Sequence, residues 1–273
     1  MDIFKKISNI DRRLIYTALG LVVLIPILFK MVLPTRVSEP VQTAYDYIQN
    51  LPEGSVVMFS VDYDASSEPE IQPMLLSMLR HCFTKKHKVI MMGQWALGLP
   101  LGELAMAAVA PQFDAKYGTD YVNLGYRPGQ RAQMVGLGRE FRDFFKVDYR
   151  NTPVDDLPLM KGVHNYNNID LLVGLEAGNS GDEWIQFAGA RYGLKIIIGA
   201  TGVIAPDMFH YMQAKQIQGL IGGLQGAAEY EVLVKKPGTG VAGMVAQSWA
   251  HLLLLGFILL GNLGYFVAKR RKN

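Results

Sequence analysis

The sequence predicts an α/β fold, with a mainly parallel sheet of about six strands in a Rossmann-like or flavodoxin-like three-layer sandwich, flanked by two transmembrane helices. Three observations predict it. Short, nearly continuous apolar runs alternate with amphipathic segments through the middle of the chain, the pattern of strands buried on both faces by crossover helices. Two longer apolar runs sit near the ends. Basic residues cluster outside those runs.

The N-terminal run, Leu14 to Leu33, carries one charge, Lys30, in 20 residues. The C-terminal run, Met244 to Ala268, carries no Asp, Glu, Lys or Arg. About 20 apolar residues in a helix cross a hydrocarbon core of about 30 Å. A cleaved signal peptide is the other reading of the first run. Its length and the following LPTRVSEP, which lacks a small-x-small cleavage site, favour an uncleaved signal anchor. Lys5, Lys6, Arg12 and Arg13 precede the first run, and Lys269, Arg270, Arg271 and Lys272 follow the second. Positive charge stays on the cytoplasmic side, so both termini are expected there and the domain between them outside the cytoplasmic membrane. Lys235 and Lys236 pull the other way. The expected organisation is a basic tail at 1–13, a signal anchor at 14–34, an extracytoplasmic domain at 35–240, a second span at 241–268 and a basic tail at 269–273.

Within the domain, SVVMFSV (55–61) reads as a buried strand. IQPMLLSMLRHCFTKK (71–86) reads as a helix from Met74, Leu75, Met78, Leu79 and Phe83. KVIMMGQW (88–95) is a second strand, 99–113 a helix, DYVNLGY (120–126) a third strand and 128–145 a helix. Residues 146–168 form an irregular excursion. IDLLVGLEAG (169–178) restores a strand. The helix after it is predicted to start at a capping box, Ser180 with Glu183. KIIIGATG (195–202) is a strand, and Pro206 and Asp207 suit the first turn of a helix. QIQGLIGG (216–223) is the sixth strand, followed by a short helix and a linker, KKPGTG.

Residues 35–240 hold 18 Lys/Arg and 22 Asp/Glu, a net charge of −4, so the overall +3 belongs to the tails. A mildly acidic domain argues against nucleic acid as a partner. The single cysteine, Cys82, excludes an intrachain disulfide and lies on an apolar helical pattern, where it reads as core.

In open parallel sheets, ligands bind beyond the carboxyl ends of the strands. Asp62, Asp64, Ser66, Gln94, Glu176, Asn179, Ser180 and Thr201 fall there. A metal-assisted hydrolase would use Asp62, Asp64 and Glu176, with a divalent cation as its only cofactor. A ligand-binding domain would use Ser66, Gln94, Asn179, Ser180 and Thr201. The structural alternative is a capping box, Ser67 with Glu70, and a turn at Asp62 and Asp64. The string Asp62-Tyr63-Asp64-Ala65-Ser66 partly resembles D-x-D-x-T of haloacid-dehalogenase-type phosphotransferases and D-x-S-x-S of metal-ion-dependent adhesion sites. Ser66 replaces the Thr of the first pattern, and Asp64 replaces the first Ser of the second.

Other chemistry lacks support. There is no H-E-x-x-H, no G-x-x-x-x-G-K-[ST] and no G-x-S-x-G, and the five histidines are scattered. GTGVAG (238–243) matches G-x-G-x-x-G but follows no sheet strand and reads as a flexible linker. The second span carries Gln247, His251 and Asn262 near one helical face, with Leu255 and Ile258 between them. Polar groups in a membrane face protein rather than lipid, so this stripe is an expected transmembrane interface. The expected function is a structural or scaffolding subunit of a homo-oligomeric or mixed membrane assembly, with the lipid bilayer and other membrane-protein subunits as partners and no cofactor. The alternative is an anchored metal-assisted hydrolase or a small-ligand binding domain.

Overall fold

A computed structural model of the chain describes residues 11–29, 31–32 and 34–270, with side chains as far as residue 266. The basic tails expected at 1–13 and 269–273 fall largely outside these residues. In chain order the elements are α1 (Arg12–Leu28), α2 (Glu39–Asn50), β1 (Val56–Asp62), α3 (Glu68–Thr84), β2 (Lys88–Gly93), α4 (Gly98–Val109), β3 (Tyr121–Tyr126), α5 (Gln130–Leu137), β4 (Leu171–Glu176), α6 (Ser180–Trp184), α7 (Ala190–Tyr192), β5 (Ile196–Ala200), α8 (Ala205–Gln213), β6 (Gly219–Gly222), α9 (Gly223–Leu233) and α10 (Thr239–Arg270). Two compact units separate. One is Thr35–Gly240. The other combines the described residues of 1–34 and 241–273.

In the first unit all six strands form one parallel sheet in the order β3-β2-β1-β4-β5-β6. This is the doubly wound dinucleotide-type order and not the flavodoxin order. Side chains alternate along β1, so Val57, Phe59 and Val61 face one layer while Met58, Ser60 and Asp62 face the other. The first layer is closed by Ala44 and Ile48 of α2, Met74 and Met78 of α3, Met106 of α4 and Tyr230 of α9. The second is closed by Met134 and Leu137 of α5, Trp184 of α6, Met208 of α8 and the irregular segment 141–169, which contributes Phe141, Phe145 and Met160. Each such fully buried apolar side chain contributes roughly 1.5–3 kcal/mol, which is why uninterrupted apolar strands need cover on both faces.

Several expectations need correction. Helix α2 was not assigned from the sequence. Its backbone lies directly on the edge strand β6, where a Cβ on Gly219 would sit 2.5 Å from Ala44. The helix expected over 128–145 is only Gln130–Leu137, followed by a 3-10 turn at Phe141–Asp143. Gly136 and Gly138 let the rings of Phe144 and Tyr192 pack where side chains would stand. Neither capping box forms. The Ser67 hydroxyl stays with Asp64, and Glu70 accepts from the Gly202 amide at 2.7 Å. Ser180 bonds Glu176, and Glu183 pairs with Arg131 at 2.9 Å. The linker is also held: the Gly238 and Gly240 amides both donate to the buried carboxylate of Glu231, at 2.8 and 3.1 Å.

In the second unit, among the described residues, one helix and not two is long and apolar enough to cross a membrane. It is α10, 32 residues, of which Thr239–Phe266 form the apolar span. Helix α1 ends at Leu28, short of the expected 34, and its 17 residues rise about 25 Å. Pro26 has no N–H to continue the ladder, and its carbonyl accepts from Met31 beyond the helix end.

Candidate functional site

The chain leaves β1 towards β2 and β3 on one side and returns to build β4, β5 and β6 on the other, so the sheet has its switch point between β1 and β4. At that point Asp62 and Glu176 are register partners. Both are 0% exposed. The residue after β2, Gln94, stands on the other side of Asp62 and is also buried.

Asp62 accepts from the Ser60 hydroxyl at 2.8 Å and from the Gln94 amide at 2.6 Å. Its pKa is raised by burial, against the pull of those hydrogen bonds. Glu176 uses one oxygen, Oε2, to accept from both the Ser180 hydroxyl and the Gly181 amide. Its pKa is pushed up to about 8, first by burial and then by the negative charge of Asp62, against those two donors. Glycine is required at 181, because a Cβ there would stand on the Glu176 carboxylate. Trp184, one helical turn beyond Ser180, is wholly buried and also contributes to holding the Asp62 charge. Trp95, in the loop after β2, lies against Gly178 after β4, where a Cβ would come within 2.6 Å of its ring.

Of the residues expected at this edge, the fold therefore brings together Asp62, Gln94, Glu176 and Ser180. Asp64 turns into its own loop, where the amide and hydroxyl of Ser66 donate to it at 2.9 and 2.6 Å and lower its pKa. Ser66 is thereby occupied. Asn179 is exposed at the start of α6. Thr201 is buried one strand further on and bonds the Glu176 backbone carbonyl through its amide. Among the described residues, no three His, Cys, Asp or Glu side chains gather as a metal site. Sequence reasoning passed over Ser60 and Trp184. The two-residue period of a strand links Ser60 to Asp62, and the four-residue spacing of a helix links Trp184 to Ser180.

Gln247, His251 and Asn262 all lie on exposed positions of α10, among the exposed apolar residues Leu252, Leu255 and Ile258. Asn262 donates back to the Ile258 carbonyl at 2.9 Å. The chain matches no protein-family model, no curated protein and no solved structure.

Proposed function

We propose that this chain is an integral protein of the cytoplasmic membrane whose extracytoplasmic α/β domain is a structural or scaffolding subunit of a homo-oligomeric or mixed membrane assembly. The observation that carries this reading is the polar stripe Gln247, His251 and Asn262 on an otherwise apolar, outward-facing helix. In hydrocarbon such groups are costly unless another protein surface takes them up. Among the described residues α10 is the one helix long and apolar enough to anchor the chain, and the basic residues 269–272 that follow its apolar run favour a cytoplasmic C-terminus, with the domain on the other side. The test is disulfide cross-linking in native membranes, with Gln247→Cys, His251→Cys and Asn262→Cys introduced singly. Cys82 is buried and supplies no background. Cross-linked species are expected from these variants and not from Leu260→Cys, which lies two and a half turns beyond His251 and so on the opposite face of the helix. A chain that is monomeric in mild detergent, with no cross-link at any of the three positions, sinks the proposal.

The buried polar group at the switch point favours a second reading alongside the first, a small-ligand site at the carboxyl edge of the sheet. It favours this over a metal-assisted hydrolase, because Asp64 is engaged in its own loop and away from Asp62 and Glu176.

A further inference from the structure

The outer face of α5 carries a cleft of about 500 Å³, a size within the roughly 300–1,000 Å³ of small-molecule sites. Its lining shares no residue with the group around Asp62 and Glu176. Arg131, Val135 and Arg139 recur at the four-residue spacing of one helical face, while Gln133, Met134 and Leu137 are buried. Gly136 leaves the helix surface bare, so that the ring of Phe144 lies where a side chain would stand. Ala132, Val135 and Phe144 then give the cleft an apolar floor. Arg131 is held at one end: it donates to Glu183 at 2.9 Å, and its guanidinium lies 5.8 Å from the centre of the Phe187 ring. Phe187 belongs to a π turn, Ile185–Gly189, that joins α6 to α7, and such turns recur at functional sites.

The charges in the cleft define its ligand. Arg131 already has Glu183. Arg139 and Asp143 line the same cleft, yet among the described residues neither forms an ion pair, with each other or with a third group. The nearby charges are engaged elsewhere: Glu140 and Asp155 both pair with Arg142, at 3.3 and 2.6 Å, and His164 stands 3.6 Å from Glu140. The cleft thus presents one unpaired cation and one unpaired anion beside an apolar floor. A simple anion would meet the charge of Asp143, a simple cation that of Arg139, and an uncharged apolar molecule would use neither. A zwitterion answers both. Its carboxylate or phosphate suits the planar fork of the Arg139 guanidinium, its ammonium suits Asp143, and its body rests on Val135 and Phe144. Arg139 and Asp143 are exposed, so the two contacts are screened and weaken further as salt is added.

We propose that the cleft on α5 binds a small zwitterion with an apolar body, such as an α-amino acid with an apolar side chain, its anionic group on Arg139 and its ammonium on Asp143. The same pair of charges occurs in a phosphoethanolamine lipid headgroup, and the probes below separate the two sources.

The experiment is calorimetric titration of the full chain at low salt in a mild non-ionic detergent. The probes are L-phenylalanine and L-leucine, with O-phosphoethanolamine as the headgroup arm. N-acetyl-L-phenylalanine lacks the ammonium, and phenethylamine lacks the carboxylate. The variants are Arg139→Gln and Asp143→Asn, both at exposed positions outside the core. Saturable binding by at least one zwitterion, weakened about tenfold in each variant, is the expected result. N-acetyl-L-phenylalanine should bind more weakly than L-phenylalanine and respond to Arg139→Gln but not to Asp143→Asn. Phenethylamine should show the reverse pattern. Binding by O-phosphoethanolamine and by neither amino acid supports the zwitterion and assigns it to a headgroup. N-acetyl-L-phenylalanine or phenethylamine binding as tightly as L-phenylalanine would overturn the ligand class, the cleft then taking a single charge. Amino-acid binding unchanged in both variants would place it elsewhere on the chain and overturn the site. No saturable binding by any probe would overturn the proposal altogether, Arg139 and Asp143 then being solvated surface charges only.

Discussion

Replacing Glu176 by Gln should change the way stability depends on pH. Glu176 is buried beside Asp62, and its pKa in the folded chain stands at about 8 against an ordinary value of 4.5. Between those two pH values the native state holds the proton and the unfolded state does not. Unfolding then releases a proton, so stability falls as pH rises from about 4.5 to about 8 and levels off above. The slope is about 1.4 kcal/mol per pH unit, which over this window accumulates to roughly 3–5 kcal/mol. This is the reverse of the behaviour of a salt-bridged carboxylate. Glutamine removes the titration without disturbing the local bonds, because Ser180 and Gly181 both donate to Oε2, leaving Oε1 as the place for the new NH2 group. Glu176→Gln should therefore match the parent near pH 4.5 and exceed it by about 3–5 kcal/mol above pH 8. Urea unfolding of the full chain in mild detergent, at one-unit pH steps from 4 to 9, measures this. Fluorescence of Trp184, which is wholly buried beside the pair, is a suitable signal. Parallel pH curves for parent and variant would refute the argument, as would a variant less stable than the parent above pH 8.

Gly219→Val should lower stability by about 3 kcal/mol, because the added carbon meets the α2 backbone at Ala44. Gly162→Ala, where nothing lies within 4 Å, should be neutral or stabilising by about 0.4–1 kcal/mol, and denaturant unfolding separates the two. Glu231→Ala strips the acceptor from the Gly238 and Gly240 amides. Their hydrogen exchange should accelerate by the equivalent of about 2–3 kcal/mol while the strand amides of β1 and β4 keep their protection. Cys82 is fully buried and its thiol pKa is raised by burial, so maleimide should label it only in denaturant; rapid labelling of the folded chain would contradict the packing of α3.

The strands were legible because they are buried on both faces and so wear their apolar character openly, as in KVIMM and KIII. Helix α2 was not, because its inward face is only Val41, Ala44 and Ile48 set among polar residues, and it gains its place from lying on β6. The two capping boxes show a different kind of failure. S-x-x-E is a local rule, and at both positions a distant partner outcompetes the local bond: the Gly202 amide takes Glu70 and Arg131 takes Glu183. The carboxyl edge could be drawn up as a set of candidates, but strand order decides which of them meet. Glu176 neighbours Asp62 because β4 lies next to β1, a fact carried by no short stretch of residues. Asp64 has the right spacing to join them and fails because β1 ends at Asp62, after which the chain turns and Ser66 claims the carboxylate. The buried amides of Gln94 and Gln133 left no sequence signal at all. A glutamine in a sequence reads as surface, and only the packing of the folded chain encloses these two on every side.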